Sequence, residues 1–108
     1  MKTDKKEMTI IKKIVDINDA VAMFCLEVDY LGALACEEVF INYLDEVKES
    51  KYIDKQVFAA FSGMMQAFES QIMNLPEDER YKVNKIITRL SNKIEELGDF
   101  ADFMERYI

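Results

Sequence analysis

Apolar residues recur along this chain at intervals of three and four, the spacing of helix faces rather than the alternation of strands. From Thr3 to Val15, Ile10, Ile11, Ile14 and Val15 form one apolar side, and Asp16 and Asn18 then offer caps or a kink. A second segment, Asp19 to Glu49, reads as one long acidic helix that only Gly32 interrupts. At 1.5 Å per residue it would span about 46 Å. A third runs from Asp54, its cap, to Asn74. It carries Phe58, Phe61, Met64, Met65, Phe68, Ile72 and Met73 on more than one side, with Glu69 the one charge between Val57 and Leu75. Such a helix belongs in the centre of a bundle or at an interface between chains.

The fourth segment has the clearest limits. Pro76 suits a first turn, Glu77, Asp78 and Glu79 suit the positive end of the helix dipole, and Gly98 suits the stop. Val83, Ile86, Ile87, Leu90, Ile94 and Leu97 make its apolar face, with Leu90 at the centre. A short fifth helix is expected after Asp99, on Phe100, Phe103, Met104 and Tyr107. These elements predict an all-α fold, an antiparallel four- to five-helix bundle formed by residues 1–108 as a single helical domain.

Composition narrows the function. With 14 basic and 21 acidic residues, the net charge is −7. That balance disfavours direct nucleic-acid binding, which needs cations to displace counterions, and docking to anionic membranes. The longest uncharged run, Gln56 to Phe68, is too short to cross a bilayer, and the basic start lacks a signal peptide's apolar core. The expected location is cytoplasmic. Cys25 and Cys36 lie too far apart on a continuous helix to form a disulfide, so both are expected as reduced, core-facing thiols.

The chain contains no histidine. That removes the commonest general base and metal ligand, and no phosphate loop, CxxC or HExxH motif takes its place. The expectation is a protein that is not an enzyme and needs no cofactor or metal. Carboxylate chemistry is the remaining route. Glu46 with Glu49, and Glu96 with Asp99, have the i, i+3 spacing by which a magnesium-dependent all-α nucleotide pyrophosphohydrolase holds its metal. The two pairs are far apart in sequence, and Glu49 and Asp99 look like helix-end residues.

Charge segregation is the most unusual feature. Eight acidic residues and no basic one lie between Asp16 and Val47, and five basic residues and no acidic one between Arg80 and Lys93. On a continuous second helix, Asp16, Asp19, Glu27, Glu37, Glu38 and Asp45 fall in one arc, with Met23, Tyr30, Leu34 and Ile41 inside it. An apolar centre in a charged rim is the make-up of a partner site, although a helix must also turn some polar face to water. The leading expectation is therefore a small acidic protein-binding module, a regulator, inhibitor or adaptor whose partner has a basic surface. An alternative is acidic mimicry of nucleic acid by an inhibitor of the kind that phages and mobile elements encode. At about 6 Å per charge, against about 1.7 Å for duplex DNA, the stripe is sparse for that role.

Two further expectations concern packing. Ala22, Cys25, Gly32, Ala33 and Cys36 form a strip of small residues, as do Ala59, Ser62, Gly63, Ala67 and Ser70, so the second and third helices are expected to meet there. Asp29 lies in that strip, as a hydrogen-bond hub or a mechanistic group. A homo-oligomer is also expected, buried through Phe58, Phe61 and Phe68, with Asp16, Glu27 and Glu38 of one copy facing Lys82, Lys85 and Arg89 of the other.

Overall fold

In the computed structural model, which describes residues 5–98 and 105–106 and side chains from Ile11 onward, four helices pack together as a bundle. They are α1 (Lys5–Leu26), α2 (Tyr30–Glu49), α3 (Lys55–Ile72) and α4 (Glu77–Glu95). The expected fifth helix falls largely outside the described residues, of which Glu105 and Arg106 are helical.

The long acidic helix is two helices. α1 runs unbroken through Asp16 and Asn18, because Ile17, Val21 and Phe24 continue its buried stripe while both polar side chains face solvent. The chain then breaks at Glu27–Asp29. Asp29 has extended backbone, φ −139° and ψ 170°, and its Oδ1 accepts a 2.7 Å hydrogen bond from the Gly32 amide. It is the N-cap of α2, satisfying one of the amides that every helix start leaves unpaired. That resolves the role of Asp29 as structural. Gly32 fits closely beside it: a Cβ there would meet Phe24 Cδ1 at 3.0 Å and Asp29 Oδ1 at 3.1 Å, so that both side chains would have to shift by a few tenths of an ångström. Asp29→Ala should cost about 0.5–2 kcal/mol in chemical denaturation. A loss near zero would mean that the turn is fixed by packing alone.

The order of packing follows from the contacts. α1 lies against both α2 and α3, α4 lies against α2, and α2 also touches α3. A Lys13–Glu46 contact of 3.9 Å sets α1 and α2 antiparallel. Tyr30 with Lys82 and Asp45 with Lys93 set α2 and α4 parallel. The helices form a slab of 47 × 31 × 16 Å.

Aromatic rings join α3 to α1 and α2, where small residues were expected. Phe24 of α1 meets Phe68 of α3 at 5.3 Å, Phe40 of α2 meets Phe61 and Phe68 of α3 at 5.7 and 5.4 Å, and Tyr43 meets Phe61 at 4.8 Å. Rings remove more apolar area from water than alanine or glycine does, so they take the inside. Of the small-residue strips, Ala33 and Cys36 are buried, whereas Ala22, Cys25, Ala59, Gly63, Ala67 and Ser70 lie at the surface. Nothing stands within 4 Å of where a Gly63 Cβ would be. A glycine inside a helix costs about 0.5–1 kcal/mol relative to alanine, and among the described residues no contact requires one here.

The other helix ends are set locally. Asp54 Oδ1 accepts from the amides of Gln56 and Val57 at the start of α3. Beyond α4 the chain turns through Gly98 at φ 98°, the left-handed conformation that glycine takes at little cost. Arg106 closes the C-terminal end of α2. Its Nη1 donates to the Val47 and Ser50 carbonyls at 3.1 and 3.2 Å, its Nη2 donates to Leu97 O at 2.9 Å, and its own carbonyl accepts from the Ile53 amide at 2.7 Å. A cation among the last carbonyls of a helix also complements its dipole.

Candidate functional site on the α1–α2 hairpin

The break at Glu27–Asp29 divides the residues of the acidic arc into two groups. Those facing α4 are engaged inside the chain. Glu37 is 7 % exposed and accepts two hydrogen bonds from Arg89, 2.6 Å from Nε and 2.9 Å from Nη2. This two-pronged pair is the strongest form of carboxylate–guanidinium contact, and it holds the Arg89 pKa above its ordinary value. Lys93 donates to Asp45 at 3.0 Å, which raises its pKa likewise. The Lys82 ammonium sits 5.1 Å over the Tyr30 ring. Leu34 and Ile41 are half-buried against the core on the same helix.

These contacts correct two expectations. Glu37, Asp45, Tyr30, Leu34 and Ile41 do not share one open binding face. Of the basic residues expected to face a second copy, Lys82 and Arg89 have partners within the chain, while Lys85 is exposed. Phe61 and Phe68, expected at an interface between copies, are buried in the monomer's own core at 2 % and 0 % exposure. The reason is proximity: the parallel run of α2 and α4 brings the two stripes together before any second molecule is involved.

The second group stays in solvent. Asp16, Asp19 and Met23 of α1 are exposed, as are Glu27 in the break and Glu38 of α2. Lys13, on the same side of α1, reaches α2, so on a helical wheel Asp16, Met23 and Glu27 lie along the α2 edge. The hairpin tip adds two residues that the arc did not include, Leu26 at 84 % and Leu31 at 76 % exposure; Met23 is 67 % exposed. Three large apolar side chains therefore stand in water around one tight turn, with Glu27 in the turn and with Asp19 about one turn, and Asp16 and Glu38 about two turns, along the flanking helices. Leu26 and Leu31 were missed because a single long helix would put them just outside the two edges of the acidic arc.

No family model, characterised protein or solved structure matches this chain.

Groups that carry chemistry elsewhere have structural partners here. Glu46 contacts Lys13 at 3.9 Å, and Glu96 contacts Lys48 and Lys93 at 3.7 and 3.5 Å. Asp99 lies outside the described residues. Among the described residues no three carboxylates or thiols converge as metal ligands would. Both thiols are free. Cys36 is buried, and burial first, then the neighbouring Cys25, pushes its pKa up to about 12. Cys25, expected to face the core, is exposed instead, because the buried stripe of α1 runs through Val21 and Phe24. No helix among the described residues is long and apolar enough to cross a membrane.

Proposed function

We propose that this chain is a cytoplasmic protein-binding module without chemistry of its own, a regulator, inhibitor or adaptor that works through the tip of its α1–α2 hairpin. The observation that carries the reading is the exposure of Met23, Leu26 and Leu31 together beside Asp16, Asp19, Glu27 and Glu38. Scattered exposed apolar residues are ordinary, but a cluster rimmed by one sign of charge is the make-up of a partner surface. No lysine or arginine occurs between Asp16 and Val47 to neutralise it. The complementary partner carries a basic rim around an apolar centre.

Acidic steering of that kind sets on-rate and specificity, while the apolar centre supplies most of the affinity. Nucleic-acid mimicry draws less support, because the continuous stripe on which it rested is divided and two of its carboxylates, Glu37 and Asp45, are engaged by α4. The test is capture of host proteins by the immobilised chain and by an Asp19→Lys/Glu38→Lys variant with an unchanged far-ultraviolet spectrum. The expected result is a basic polypeptide held by the first and lost by the second. Equal retention by both would place the binding face elsewhere.

A further inference from the structure

We propose that two copies of this chain exchange α1: the Glu27–Asp29 break straightens, α1 and α2 become one helix, and each α1 packs on the other copy's α2 and α3. The break is made of residues that can enter a helix. Glu27, Val28 and Asp29 include neither glycine nor proline, and none of them has a positive φ. Helical bonding reaches the Glu27 amide, which donates to Met23 O at 3.1 Å, and resumes at Ala33, whose amide donates to Asp29 O at 3.1 Å. The Asp29 cap on the Gly32 amide favours the turn and has no role in a straight helix. Straightening gives the amides between Glu27 and Ala33 helical partners in its place. The core survives the exchange, because α1 meets on the second copy the same α2 and α3 side chains that it meets on its own.

The faces of the straightened helix allow two copies to fit. At about 100° per residue, the buried Ile17, Val21 and Phe24 lie on roughly the opposite side from the buried Ala33, Phe40 and Leu44. The core that receives α1 and the core that keeps α2 therefore stand on opposite sides of the long helix and do not collide. Met23, Leu26 and Leu31 centre on the side between those two stripes, where the long helices of a two-fold dimer run antiparallel past each other. Each copy there covers the large apolar side chains that the hairpin leaves in water. Glu27 and, farther out, Asp19 and Glu38 share that side, so like charge opposes the dimer and salt relieves it. The exchange follows from the break alone. Its consequence rests on the partner reading above, since a straightened helix has no hairpin tip to offer and the dimer is the form that does not bind.

The test uses isotope-labelled and unlabelled full chains, unfolded together in urea and refolded at high concentration and high salt. Monomer and dimer are separated by size, treated with a carbodiimide that joins ammonium to carboxylate groups in contact, and digested for mass spectrometry. Lys13 and Glu46, 3.9 Å apart between α1 and α2, report the exchange, and Lys93 and Asp45, 3.0 Å apart between α2 and α4, are the control. In the dimer, Lys13–Glu46 links should join labelled to unlabelled peptides while Lys93–Asp45 links stay within one label; in the monomer both should stay within one label. Asp29→Ala removes a cap that only the hairpin uses, once in each chain, and should raise the dimerisation constant by at least roughly tenfold. Two glycines inserted between Glu27 and Val28 should lower it, because a longer break closes more easily within one chain. A wild-type mass fixed at 12.6 kDa after such refolding would overturn the proposal, as would a dimer whose Lys13–Glu46 links never mix labels. These readouts do not involve the tip's partner, so either result leaves the partner reading to its own test.

Discussion

Phe40→Ala should lower the unfolding free energy by about 3–5 kcal/mol, the largest loss expected from any single truncation in this chain. Phe40 is fully buried on α2 and stands with its ring edge towards Phe61 and Phe68 of α3. Removing it takes away the transfer free energy of the ring and leaves a cavity where three helices meet, since Phe68 also packs on Phe24 of α1. A domain of this size has about 5–15 kcal/mol in all, so the variant should be partly unfolded under mild conditions. Urea denaturation reads the loss directly as a lower midpoint. A change under about 1 kcal/mol would mean that the bundle closes around some other centre.

Leu90→Ala should cost about 2–5 kcal/mol, and for a different reason. α4 has three buried side chains, Val83, Ile86 and Leu90, with which to hold α2. Its polar contacts add little. Lys93–Asp45 is a surface pair that solvent screens, and the Arg89 side chain is 46 % exposed, which weakens what its pair with Glu37 contributes. Leu90 is 1 % exposed, and losing it should loosen α4 before the rest of the bundle. Hydrogen exchange should show faster α4 amides in the variant while α1 and α3 stay protected. Uniform acceleration over all four helices would show instead that α4 unfolds only together with the core.

Those two residues differ in how far their roles could be read beforehand. α4 was legible because its punctuation is chemical as well as periodic: Pro76, three acidic residues in the first turn, and Gly98 with its positive φ. Leu90 sat at the centre of a single apolar face and is buried there. The cap at Asp54 was legible for the same reason. The α1–α2 break was not, because neither proline nor glycine marks it. Its signal was a change of phase: Phe24 and Ala33, both buried, are nine residues apart, about half a turn off any single helix face. Met23, Leu26, Val28, Leu31 and Leu34 filled the gap with enough apolar residues to draw either phase. Asp29, the residue that starts the second helix, was read as part of a seam.

The candidate site follows from that one misplaced boundary. With a single helix, the acidic arc was continuous, and Tyr30, Leu34 and Ile41 belonged to its centre. With two, the parallel course of α2 and α4 takes Glu37 and Asp45 into ion pairs and leaves Asp16, Asp19, Glu27 and Glu38 exposed. Segregated charge was visible in the sequence; which carboxylates are engaged within the chain depends on helix direction, and composition does not record direction. Leu26 and Leu31 became candidates only when the turn exposed them.

The hairpin tip as a partner surface is tested most directly by a photo-crosslinking side chain in place of Leu31, with a second version in place of Tyr81 on α4, which is 67 % exposed. Illumination in the host cell should give one discrete adduct from position 31, to a protein with a basic surface. Adding Asp19→Lys and Glu38→Lys to the same chain should remove that adduct, and position 81 should not give it. The same adduct from both positions, or one from position 31 that survives charge reversal, would contradict a partner surface at the tip.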